Sequence, residues 1–162
     1  MTAQFSEILN IDGETHSMMS TPLGDFFELM GSTPTFESNC TALRRGYVGT
    51  WEITNDLLYL VRLSGTMTNG ETATLESVFP GFPERVFAHW FSGKVRLPQG
   101  KRIQYKHMGF GSTYERDLFI FFRNGVVIGK HTVINGVAPS NATAYKGPSA
   151  MTVFNLKNLS DD

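Results

Sequence analysis

The chain contains one cysteine, Cys40, which excludes an intramolecular disulfide and a thiolate metal cluster. Ser38, Asn39 and Thr41 surround it and the nearest cation is Arg44, so nothing nearby favours a thiolate; the sequence reads as an inert or semi-buried thiol. Apolar runs fall far short of the roughly 18 residues of a membrane span. Met1 to Ile11 has no Lys or Arg and no apolar core of a secretory signal. A reducing, cytoplasmic setting with no membrane partner is the expectation.

Familiar motifs are missing too. No G-x-x-x-x-G-K-[ST] loop and no G-x-G-x-x-G after a parallel strand is present, which excludes the common nucleotide-enzyme folds. G-x-S-x-G is absent, so a serine nucleophile has no anchor. His16, His89, His107 and His131 show no H-x-H or H-E-x-x-H spacing, and neither a metal nor another cofactor is expected. With 14 Lys plus Arg against 15 Asp plus Glu, the formal charge is −1, which disfavours a nucleic-acid polymer as partner.

What is present suits one globular domain over residues 1–162, with 157–162 as a frayed tail. Its 162 residues, 41% of them hydrophobic, suffice to bury roughly 70% of the unfolded chain's surface. Charge is segregated. From Met1 to Leu43 there are six acids and no Lys or Arg, whereas between Glu84 and Glu115 there is no carboxylate but six Lys or Arg, with His89 and His107. Either the acidic part packs across the basic middle, or the basic middle is kept for an anionic partner.

Local patterns are mostly those of strands. Asp12-Gly13, Thr54-Asn55-Asp56 and Asn124-Gly125 mark hairpins joining Glu7–Ile11 to Glu14–Met18, Arg45–Ile53 to Leu57–Leu63, and Ser112–Phe122 to Val126–Ile134. Thr21-Pro22 opens a helix over Leu23–Met30 that Gly31 stops. A brief helix is expected over Glu84–Phe91, and separate strands over Lys94–Leu97 and Lys101–Met108. Met67–Glu76 reads as a long loop or irregular edge, and Met151–Leu156 as an added edge strand. The sum is a mainly β protein, a single antiparallel β-sandwich or open β-barrel with one or two short helices.

The run R-G-Y-V-G-T-W-E-I-T-N-D-L-L-Y-L from Arg45 to Leu60, with the W-F-S-G-K-V-R-L-P-Q-G and Y-K-H-M-G-F-G-S-T-Y-E segments that follow Val86, resembles a group of uncharacterised bacterial proteins. The resemblance spans about half the chain and departs at Lys106, at Phe110 and over Thr66–Thr74. It implies a β-rich fold and a bacterial or phage setting, and carries no activity.

Two constellations stand out. Period 2 places Tyr105 and His107 on one strand face, and Tyr114 and Arg116 on a face of the next strand. If these strands pair, an imidazole, two phenols and a guanidinium converge, a set suited to phosphate or carboxylate. The structural alternative is that the tyrosines pack and Arg116 pairs with Glu52 or Asp117. The second set, Arg44, Arg45, Tyr47, Trp51 and Trp90, would offer cations beside stacking aromatics, although each Trp alone reads as core.

The leading expectation is therefore a non-enzymatic protein that binds, and thereby sequesters, a small anionic, nucleotide-like ligand, with a homo-oligomer as a further expectation. Its ligand-binding residues are Arg45, Tyr47, Trp51, Trp90, Tyr105, His107, Tyr114 and Arg116. One alternative is a protein-interaction module, an inhibitor or immunity-type partner that uses its acidic N-terminal part. Another is a phosphoester hydrolase or lyase using His107, Tyr114 and Glu115. Adjacent residues on a strand point to opposite faces, which sets Glu115 against that last assignment.

Overall fold

The computed structural model describes residues 4–32, 34–38, 40–104 and 110–136. Alternating apolar positions build eight strands: β1 (Glu7–Ile11), β2 (Glu14–Met18), β3 (Tyr47–Thr54), β4 (Leu57–Gly65), β5 (Val86–Phe87), β6 (Gly93–Gln104), β7 (Thr113–Arg123) and β8 (Val126–Ile134). They form one open sheet in the order β2-β1-β3-β4-β8-β7-β6, with β5 added to β4. Every pairing is antiparallel except β1 with β3. The sheet does not close into a barrel. It curls far enough for its ends to meet: Met19 N–H donates to Arg96 O at 2.8 Å, and Arg96 N–H to Ser20 Oγ at 3.1 Å. The acidic N-terminal segment thus neighbours β6, at its C-terminal end.

All three tight hairpins form where the turn dipeptides stand. Asp12-Gly13, Asn55-Asp56 and Asn124-Gly125 each take positive φ at both positions, the backbone whose twist matches a two-residue hairpin. Helix α1 (Pro22–Met30) starts with Pro at its first turn and ends at left-handed Gly31, burying Leu23 and Phe27.

Three expectations are corrected. Glu84–Phe91 is not a helix: Val86 and Phe87 pair with Leu60 and Tyr59, and Ala88 N–H reaches Leu58 O at 2.9 Å. The stretch is too short for apolar spacing to separate periods 3.6 and 2, and the open edge of β4 supplies the partners that decide. The short helix in this region is instead α2 (Leu75–Val78), where Thr74 and Ser77 form a reciprocal cap. Finally, Lys94–Leu97 and the start of the strand expected over Lys101–Met108 are one strand as far as Gln104, because Pro98-Gln99-Gly100 bulges rather than turns; the remainder of that expected strand lies outside the described residues. Gly100 sits at φ +86, and the register against β7 slips between Gln99 and Arg102. The proposed strand at Met151–Leu156 lies outside the described residues.

One core cluster spans both halves of the sheet, joining Leu9, Trp51, Leu58 and Leu60 to Val95, Leu97, Ile120 and Phe122. Each such side chain contributes about 1.5–3 kcal/mol through area removed from water. No helix among the described residues is long and apolar enough to cross a membrane.

Candidate functional site

The inward face of β3 carries Tyr47, Gly49 and Trp51, as strand alternation predicts, and these residues close over a buried acid on β1. Glu7 is completely enclosed. Its Oε2 accepts from Arg45 Nη2 at 2.7 Å, Arg45 Nε at 3.1 Å and Gly49 N–H at 2.9 Å, and its Oε1 accepts from Trp51 Nε1 at 2.9 Å. Burial pushes the Glu7 carboxyl above the ordinary range, while Arg45 and the donors of Trp51 and Gly49 pull it back. Gly49 is required here by close approach: a Cβ would lie 2.6 Å from Glu7 Oε1 and 2.9 Å from Trp51 Nε1.

The aromatic platform expected from this region is therefore core. Trp51 is fully enclosed, and Tyr47 is buried against Phe27 and Phe36. Burial, reinforced by Glu7, raises the Tyr47 phenol so far that it stays protonated. The Arg45 side chain is 14% exposed, with its guanidinium committed to Glu7. Trp90 donates to Pro22 O at 2.9 Å and stacks on Phe79, which ties α1 to the sheet. These four residues hold the fold, and the Arg45 guanidinium and both indole N–H groups are engaged within it.

The other constellation has a different character. The face of β6 and β7 that carries Val95, Leu97, Ile120 and Phe122 continues to Gln99 and Arg116, which oppose each other across the ladder. Directly opposed residues hold their side chains on one face with Cβ atoms about 5 Å apart. Gln99 is fully buried, yet neither its Oε1 nor its Nε2 has a partner. Nε and Nη2 of Arg116 are likewise buried and unpartnered. Tyr114, buried and two residues along β7, completes this end of the face.

Asp117 is not the counterion of Arg116. It lies on the opposite face, where Oδ1 accepts from Arg96 Nε at 2.8 Å and Oδ2 from Asn135 Nδ2 at 3.0 Å. The same Arg96 donates to Phe110 O at 2.5 Å and Ser112 O at 2.6 Å, fastening the chain that enters β7. Glu115 Oε1 accepts the Lys101 N–H of the bulge at 3.1 Å. Tyr105 and His107 lie outside the described residues. Gln99 was missed in the sequence, but it had a signal: in V-R-L-P-Q-G a polar residue occupies the position that alternation reserves for the core.

His16 adds a half-buried imidazole on β2 whose Nδ1 is enclosed. It opposes Leu9, its Nδ1 is unpartnered, and its Nε2 stands 3.7 Å from Glu14 Oε1. Burial lowers its pKa from 6.5, with Glu14 opposing. The unfolded imidazole takes up its proton near 6.5 and the folded one only below that, so acid favours unfolding. Stability is expected to fall as pH drops through this window, and His16→Gln to flatten the slope in denaturation curves recorded from pH 7 to 5.

Among the described residues, no group of three or more His, Cys, Asp or Glu is gathered for a metal ion. No family model matches the chain, and no curated protein or solved structure matches it. The site's chemistry must speak for itself. A buried guanidinium edge beside a buried carboxamide, both lacking partners, can receive an anion with further hydrogen-bonding atoms.

Proposed function

We propose that the protein binds a small anionic molecule at the inward end of β6 and β7, with Arg116 as the counter-charge, Gln99 as the polar contact and Tyr114 as a wall. One observation carries this reading: two facing residues keep four polar atoms buried and unpartnered. Each such orphan costs about 1–3 kcal/mol, an expense that a bound partner offsets. Sequestration rather than turnover suits the site, because the nearby carboxylates of Glu115 and Asp117 are engaged with Lys101, Arg96 and Asn135. The nucleotide-like part of the expectation is weakened by the placement of Tyr47 and Trp51 in the core, which removes their stacking faces.

Thermal unfolding against a panel of carboxylates, phosphometabolites and nucleotides tests the reading. A ligand at a hundredfold excess over its Kd stabilises by about 2.7 kcal/mol. At least one compound is expected to raise the wild-type Tm and to leave Arg116→Leu unchanged. A panel without effect, or a shift that survives in Arg116→Leu, would overturn it.

A further inference from the structure

We infer that the anion is a carboxylate, borne by a small molecule with an amide or similar donor–acceptor group beside it; this rests on the anion-binding reading above and names its ligand class. The unpartnered nitrogens of Arg116 are Nε and Nη2, which lie along one edge of the guanidinium and donate side by side. That spacing matches the two oxygens of a carboxylate. The protein turns the same edge to a carboxylate elsewhere, although there Nε and Nη2 of Arg45 converge on one oxygen, Oε2 of Glu7, because Trp51 holds the other.

Charge narrows the class. Among the described residues on the inward face of this hairpin and β8, Arg116 is the cation with buried nitrogens; Arg102, opposite Tyr114, and Lys130, opposite Ile120, are exposed. One buried positive charge balances one negative charge. A phosphate monoester carries nearly two near neutrality, and its second charge would be desolvated without a partner.

Gln99 supplies the remaining constraint. Its enclosed carboxamide presents one acceptor oxygen and two N–H donors, none of them used by the protein. The complement is a group with an N–H and a C=O close together, as in an N-acylated amino acid. Since Gln99 and Arg116 are opposed in register, one small molecule can meet both.

The test uses the full chain, isotopically labelled so that the Arg116 Nε–H and the Gln99 side-chain amide are followed by NMR. The probes are N-acetylglycine, its methyl ester, methyl phosphate and inorganic phosphate. N-acetylglycine is expected to shift both signals saturably at about millimolar concentration, and its uncharged ester to shift neither. Arg116→Lys, which keeps the charge and loses the fork, should weaken N-acetylglycine about tenfold or more while the backbone spectrum stays folded. Saturation by methyl phosphate or phosphate at lower concentration than N-acetylglycine overturns the carboxylate assignment and leaves anion binding standing. If no probe moves the Arg116 signal, the carboxylate assignment falls, and the thermal panel decides separately whether anion binding falls with it.

Discussion

Replacing Glu7 by Ala is expected to lower folding stability by about 3–5 kcal/mol, the cost of breaking a buried ion pair from one side. The loss is large because the carboxylate serves three partners. Without it the Gly49 N–H and the Trp51 indole N–H lose their acceptor in surroundings that water does not reach, and the largely covered Arg45 guanidinium loses its counter-charge. Glu7→Gln keeps the shape and one carbonyl acceptor but turns an N–H donor toward groups that are all donors, so an intermediate loss is expected. Urea denaturation of both variants checks the order. A Glu7→Ala protein as stable as wild type would show that the network contributes nothing net.

Gln99→Leu is expected to act in the opposite direction, raising the stability of the ligand-free protein by about 1–3 kcal/mol. Leucine fits the volume, continues the Val95–Leu97 row and removes two buried polar atoms that have no partner. The sign is the diagnostic. A residue kept for packing loses stability when changed, whereas one kept for a ligand restrains stability until the ligand arrives. Urea denaturation of the variant, together with loss of the ligand-induced Tm shift, distinguishes the two. A destabilised Gln99→Leu protein would place Gln99 among the structural polar residues.

Much of the fold was legible because its signals are local. Asp12-Gly13, Asn55-Asp56 and Asn124-Gly125 specify their own backbone, and Pro22 with Gly31 brackets α1. Alternation put Tyr47, Gly49 and Trp51 on one face, and it put Tyr114 with Arg116. Alternation does not say what lies opposite. Arg45, Tyr47 and Trp51 together suggest a ligand platform although Trp51 alone reads as core, and the deciding residue, Glu7, stands 38 to 44 positions away. The bulge at Gly100 was hidden for a similar reason. Pro-Gln-Gly suits a turn or a bulge, and the choice follows from β7 continuing to pair on both sides of it.

The parallel pairing of β1 with β3 has a kinetic consequence. The β1–β2, β3–β4 and β7–β8 hairpins close over turns of two residues, whereas Leu9 must find Trp51 with α1 and some forty residues between them. Contacts of that separation bear loop-closure entropy before any interaction repays it. By the same argument the hairpins are expected to close before β1 docks beside β3, and before the longer-range joints of Leu57 with Val126 and of Met19 with Arg96. Because Glu7 fastens that joint, the docking of β1 beside β3 also brings a carboxylate out of water, so this one strand pairing carries a desolvation cost that none of the hairpin turns bears.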